Sequence, residues 1–323
     1  MFFGVYVIKY YSFWMNAHSV KCLLEQIQNI CDELKDENEI AIMEKYGSNA
    51  KYFTTISLAI CGVFIAILLP IWPQVLGSDL HINESQPRQT VQIVTEYFVD
   101  QEKYFYLILL HKNIVICIGA TTLTGTGTIL VGYVIYACGM FRMASYRIEN
   151  AMTTKILNNI NLENQTIIYK QIIDAVEIHC KAIKFSEFLT SAFKGSVSLL
   201  VIINVISLSL NIFGIFRSAL LGDKEAFLLH VLFVFVILLY MFVANYAGQE
   251  IINHNNHIYF LAYNSRWYIA PLHAQKLILF ILLRGSKTVN LNIGGLVVAS
   301  LECFTMLIKL SMSYFTVMYS MQE

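Results

Sequence analysis

The closing stretch GGLVVASLECFTMLIKLSMSYFTVMYSMQE, residues 294–323, decides how the rest of the chain is read. From Gly294 to Tyr319 it is free of proline and helical in pattern, and at 1.5 Å per residue it predicts a helix of ~39 Å, enough to cross a bilayer. Six polar residues interrupt it: Glu302, Thr305, Lys309, Ser313, Thr316 and Ser320. Their steps of three or four residues put all six on one narrow face. The remaining faces, with Leu301, Phe304, Leu307, Ile308, Leu310, Met312 and Phe315, suit lipid or neighbouring helices. A polar line is costly in hydrocarbon, so it must face water, as in a pore, or hydrogen-bond to other helices of a bundle.

Composition agrees with a membrane setting. Hydrophobic residues make up 57% of the 323, charged residues 14%, and mean hydropathy is +0.58, which excludes an ordinary soluble domain. Net charge is zero, so no basic surface suggests nucleic acid. Apolar runs of about twenty residues predict helices; a membrane barrel would show ten-residue alternating segments instead. The class is all-α, a polytopic helical membrane protein.

Working back from the closing stretch, residues 1–15 are apolar but too short to span alone, and 16–51 form a polar loop with a short amphipathic helix around Leu23, Leu24, Ile27 and Ile30. Residues 52–73 read as a span in which Pro70 and Pro73 stop the helix and Trp72 marks an interface. The loop at 74–103 contains the sequon Asn83-Glu84-Ser85, which is meaningful only outside the cell. A second span with a helical extension covers 104–141. Its run Gly119 to Thr128 lacks the Lys of a phosphate loop; it suits close helix packing with back-bonded hydroxyls, or a ligand-facing wall.

Residues 142–195 carry Arg142, Arg147, Lys155, Lys170, Lys181, Lys184 and Lys194, which places this segment in the cytoplasm. Within it Ile167, Ile168, Ile172, Ile173, Val176 and Ile183 predict an amphipathic helix, and a second sequon, Asn164-Gln165-Thr166, would be silent. Spans follow at 196–216 and 226–245, joined by an outer turn at 217–225. An inner segment at 246–293 includes a short helix over Leu272–Leu283, and the closing span at 294–323 leaves the C-terminus outside.

No catalytic constellation is visible: there is no nucleophile elbow, no zinc signature, and no carboxylate pair inside a span. An enzyme is not expected, nor is any cofactor. The seven cysteines match no metal spacing, and none lies in a predicted outer loop. His254 and His257, three apart, sit on one helical face without a carboxylate or cysteine at suitable spacing, so solvated loop residues are the ordinary reading and no metal is expected.

Several spaced stretches carry a family resemblance. Ser300-Leu301-Glu302-Cys303-Phe304, Lys309-Leu310-Ser311 and Ser313-Tyr314-Phe315-Thr316-Val317 resemble the closing segment of the insect odorant receptors. Upstream, Asn245-Tyr246-Ala247-Gly248-Gln249-Glu250, Tyr263-Asn264-Ser265-Arg266-Trp267-Tyr268 and Gln275-Lys276-Leu277 look like that family's other C-terminal signatures, in the same order. The resemblance implies the family's seven-helix fold, with residues 1–15 matching the tail of the second transmembrane helix, so that the first helix and part of the second would be missing. It implies a subunit that binds a small volatile odorant and gates a non-selective cation channel as a heterotetramer with the co-receptor. The place would be the plasma membrane of an olfactory sensory neuron dendrite.

By position, Val317 and Met321 match the family's hydrophobic gate, and Ser320 stands where the co-receptor has Gln. Cytoplasmic helices would pack in an anchor between subunits. An apolar odorant among the outer halves of the spans makes Phe64, Leu68, Trp72, Tyr104, Tyr106 and Ile116 candidate wall residues. A gustatory-type receptor channel shares this architecture, though Ser313-Tyr314-Phe315 fits the odorant branch better. A secondary transporter would need internal symmetry that the sequence lacks.

The orientation is checked by glycan mapping in microsomes. Asn83 should acquire a glycan and Asn164 should not; the reverse result inverts the topology.

Overall fold

A computed structural model describes residues 2–77, 104–153, 162–287, 289, 291–293 and 297–321. In chain order the helices are α1 (Phe2–Met15), α2 (Ala17–Glu33), α3 (Glu37–Gly77), α4 (Phe105–Ala151), α5 (Leu162–Leu221), α6 (Lys224–Asn264), α7 (Leu272–Gly285) and α8 (Leu301–Ser320). A short hairpin of β1 (Asn292–Ile293) and β2 (Val297–Val298) precedes α8. Among the described residues five helices, α3 to α6 and α8, are long and apolar enough to cross a membrane.

Two expected boundaries are corrected. The prolines do not stop the first long span: α3 continues through Pro70 and Pro73 to Gly77. A membrane helix tolerates proline where neighbouring helices, hydroxyl side chains or local adjustments of the backbone re-satisfy the freed carbonyls. The closing helix does not begin at Gly294. The β-branched pair Val297-Val298 forms a strand, and the helix starts at Leu301 because Ser300 caps it, its Oγ accepting from the Cys303 amide at 3.1 Å. Twenty residues remain, ~30 Å at 1.5 Å each, still the thickness of the hydrocarbon core.

Local chemistry explains the other joints. Asp36 caps α3 through its carboxylate, which accepts from the Asn38 amide at 2.9 Å. The α5–α6 turn places Gly222 at φ 73°, a left-handed conformation that glycine adopts without strain, and Asp223 then caps α6 by accepting from the Ala226 amide at 3.0 Å. This C-terminal glycine followed by an N-cap carboxylate reverses the chain in very few residues.

The core is strongly asymmetric. The large buried cluster lies at the end of the bundle that carries the basic 142–195 segment, called here the basic end. It joins Leu23 and Ile27 of α2, Phe141, Met143 and Ile148 of α4, Ile168, Ile172 and Phe185 of α5, Ile251 and Ile258 of α6, and Ile278 and Ile281 of α7. The predicted amphipathic helix is thus the first third of α5: Ile168, Ile172 and Ile183 are buried, while Ile167 and Ile173 face outward. In the most apolar windows the balance reverses, with 6% of residues buried in α3 and 33% in α5, as suits apolar surfaces that meet lipid instead of the chain's own core.

Polar ties hold the basic end together. Arg147 of α4 grips Glu39 of α3 with two donors, at 2.6 and 2.9 Å, and donates a third to the Asp174 carbonyl of α5 at 2.8 Å. One guanidinium therefore links three helices, a use that suits its rigid fork. Nearby, His179 of α5 is 2% exposed and bonded to Asn255 of α6 at 3.3 Å. It lies below the apolar runs read as spans, and burial, aided by the Arg284 charge, lowers its pKa against the opposing effect of the Asn255 bond.

Removing one partner of the Arg147–Glu39 pair, by Arg147→Ala or Glu39→Ala, should cost about 2–4 kcal/mol, and the double variant should cost less than the sum. Thermal unfolding of detergent-solubilised protein measures both. Because the folded pKa of His179 is depressed, its contribution to stability is present above the unfolded value of about 6.5 and is lost as pH falls through the folded one. His179→Gln should flatten that acid limb of the melting-temperature profile.

Candidate functional site

Helix α8 is held on one face only. Cys303, Leu307 and Ser311, spaced by four, are buried against Val205 and Leu208 of α5 and Ile237 and Met241 of α6. Ser209 of α5 reaches the Ser311 carbonyl at 2.9 Å, sharing its proton with the Val205 carbonyl, so a polar contact fixes the height of α8 within an apolar seam. Near the other end of α8, Phe216 packs on Tyr319 with ring centroids 4.9 Å apart and on Phe315 at 6.3 Å.

Glu302, Thr305, Lys309, Ser313, Thr316 and Ser320 all lie on the opposite, exposed face. Among the described residues the hydroxyls of Thr305, Thr316 and Ser320 do not bond other helices of the chain: Thr305 bonds the Glu302 carbonyl, Thr316 the Ser313 carbonyl and Ser320 the Val317 carbonyl, each within α8. Back-bonded hydroxyls leave their lone pairs outward, which gives a helix a polar wall without a protein partner. Glu302 sits in the first turn, where its charge also favours the helix dipole.

Val317 is 52% exposed and Met321, at the C-cap, 82%. At 100° per residue Val317 lies about 60° round from Glu302, so the two residues flank the polar line instead of standing at its centre. On that flank a groove of about 510 Å³ opens between α8 and α5, lined by Val201, Ile202 and Val205 on one side and Met306, Leu310 and Val317 on the other. Its walls are almost wholly apolar, which the sequence pattern of either helix alone does not show.

The candidate wall residues are not brought together in a described cavity. Phe64 of α3 and Ile116 of α4 are half-buried, and Tyr104 is exposed at the N-cap of α4. The side chains of Leu68, Trp72 and Tyr106 lie outside the described residues, as does Asn83. The Thr-rich run of α4 has the back-bonding expected of it, with Thr122, Thr126 and Thr128 each bonded to a carbonyl of the preceding turn. Gly119 beside it admits the Tyr6 ring of α1, where any Cβ would sit 2.2 Å from ring carbon. Close packing is thus seen at Gly119, whereas nothing approaches Gly125 within 4 Å.

His254 and His257 serve structure and do not converge on a common ligand position. His254 bonds Tyr46 of α3 through Nε2 at 2.7 Å and the Glu250 carbonyl through Nδ1 at 2.8 Å, while His257 lies 3.3 Å from Ser145 of α4. Both ring nitrogens of His254 are thus engaged within the bundle, one by the phenol of α3 and one by the preceding turn of α6. Among the described residues no group of three His, Cys, Asp or Glu side chains suits a metal.

One residue escaped the sequence reading. Lys9 of α1 is 3% exposed, with its ammonium 5.3 Å from the centre of the Tyr240 ring of α6, and no carboxylate pairs with it among the described residues. A lysine inside an apolar helix is a signal in itself, but its aromatic partner is 231 positions away and cannot be read from the chain.

Sequence comparison with curated proteins finds no match. The fold is similar to that of the insect olfactory receptor OR5 from Machilis hrabei in complex with eugenol, with a TM-score of 0.75 at 14% identity, covering 99% of this chain and 79% of that one. A second structure of the same receptor gives 0.70 at 14% identity, covering 98% and 78%. At that identity the likeness establishes the architecture alone. The family model described as 7tm Odorant receptor matches residues 1–312, nearly the whole chain, and this multi-pass membrane protein therefore belongs to the insect odorant receptor family.

Proposed function

We propose that this chain is the odour-tuning subunit of a ligand-gated, non-selective cation channel, assembled as a heterotetramer with the co-receptor in the plasma membrane of olfactory neuron dendrites. The observation that carries the reading is the exposed polar face of α8, opposite its packed face and without a partner on another helix among the described residues, in a chain of the odorant receptor family. A helix in hydrocarbon does not keep Glu302, Lys309 and four hydroxyl residues exposed unless water or another subunit meets them. Copies of α8 around an axis supply that water as a conduction path, and the heteromeric partner closes the ring.

In this assembly the basic end is cytoplasmic and packs in the anchor between subunits. Val317 and Met321, at the outer end of α8, act as the apolar constriction beside Ser320. Such a ring closes a pore by excluding water, so the gate requires no charged latch. The odorant, a small volatile molecule, binds among the outer halves of the spans near Phe64 and Ile116, with Leu68, Trp72, Tyr104 and Tyr106 completing the wall. It opens the channel only insofar as it binds the open arrangement more tightly than the closed one.

Voltage-clamp recording with the co-receptor tests the whole reading. Val317→Asn should raise agonist-free current several-fold by wetting the constriction, whereas Val317→Leu should not. Ser313→Cys should become blockable by a cationic thiosulfonate reagent, and a helix facing lipid would leave the current untouched. Phe64→Ala or Ile116→Ala should shift the half-maximal odorant concentration at least fivefold at unchanged surface expression; a change in expression alone would mark them as packing residues.

A further inference from the structure

The segment Asn245-Tyr246-Ala247-Gly248-Gln249-Glu250 of α6 has a role that neither gate nor ligand wall uses. Helix N-termini leave backbone amides without intrahelical partners. At the start of α8 two of these are satisfied from another helix. Asn245 Oδ1 accepts from the Ser300 amide at 3.3 Å and Gln249 Oε1 accepts from the Leu301 amide at 3.3 Å, while Ser300 Oγ takes the Cys303 amide at 3.1 Å.

Both side-chain amides are themselves held. Asn245, 4% exposed, donates to the Met241 carbonyl at 2.8 Å, and Gln249 donates to Asn253 at 3.0 Å. Between them Gly248 lets the chain come against α6: a Cβ there would lie 2.4 Å from the Ala299 carbonyl oxygen. Spacing of three and four residues places Asn245, Gly248 and Gln249 on one face of α6. The entry to α8 is therefore gripped by a donor-satisfying residue on each side of a point of backbone contact.

We infer that Asn245 and Gln249 are positioning residues that set the rotation of α8 about its own axis, and so aim Glu302, the first polar residue of the exposed line, into the conduction path. The inference rests on the reading of α8 as the pore helix. Rotation matters because Glu302 is one residue from the buried Cys303, about 100° away on the helix. A turn of that size would swing the carboxylate against α5 or α6. Two amide acceptors bound to consecutive backbone amides resist that turn in a way that apolar packing at Leu307 alone does not.

The test is the accessibility of position 302. Glu302→Cys is placed in the full chain, expressed with the co-receptor, and treated from the cytoplasmic side with a cationic thiosulfonate; modification is read by mass spectrometry of the α8 peptide, independently of current. Adding Asn245→Ala and Gln249→Ala should slow modification at least fivefold. Asn245→Asp, which keeps the acceptor, should leave the rate within twofold. Gln249→Ala alone, which removes one exposed bond, should give an intermediate rate and serves if the double variant fails to reach the membrane. In channels retaining Glu302, the alanine variants should also move the reversal potential under a NaCl gradient towards zero. An unchanged modification rate in the alanine variants overturns the assignment. Failure of the reagent to block Ser313→Cys channels would instead overturn the pore reading, so the two failures are distinguishable.

Discussion

A helix with six polar side chains on one face of an apolar rod has to give that face something other than lipid, and the rest of this structure depends on how α8 meets that demand. It buries only the face of Cys303, Leu307 and Ser311. The price is a helix gripped along one narrow seam, with the Ser209–Ser311 bond and the Phe216 aromatic contacts as its specific fastenings. A more complete burial would give greater stability, yet it would close the polar line against protein.

The remainder of the chain is arranged to tolerate that weak attachment. Ordinary core packing is concentrated at the basic end, where α2 to α7 enclose Phe141, Phe185 and a set of fully buried isoleucines. There the Arg147 fork and the bonds from His254, Asn255 and His257 to three different helices add directional ties to a nondirectional hydrophobic contact. Towards the other end the helices share few buried residues, as suits apolar surfaces that lipid solvates as well as protein does. Rigid packing at one end and loose packing at the other is a physical basis for motion confined to the membrane part, since tightly packed interiors do not deform gradually.

Helix α6 bridges these two regimes. From Lys224 to Asn264 it passes from the seam with α8 into the basic-end core. Within three turns it presents Asn245 and Gln249 to the start of α8 and His254 to α3. On the proposed reading, a shift of the packed bundle reaches the pore helix through this short run, while a bound odorant acts from the spans above it. The contact at Gly248 leaves no slack in that connection.

Much of this was legible in the residues. Apolar run length gave the spans, the four-residue spacing of isoleucines gave the amphipathic start of α5, and Leu272–Leu283 marked α7 to within two residues. The polar line of α8 followed from a three-four repeat, because side-chain direction along a helix is a local property. Boundaries were less secure: the chain alone could not tell that α3 passes its prolines or that Val297 and Val298 pair as a strand, since both outcomes depend on which partners receive the freed backbone groups. Partnership across the fold was not legible at all. Only the tertiary structure decided that Asn245 and Gln249 cap α8, that Lys9 lies over Tyr240, and that the polar line faces away from its own chain. Helical periodicity assigns a residue to a face, whereas the environment of that face is decided by helices tens or hundreds of residues away.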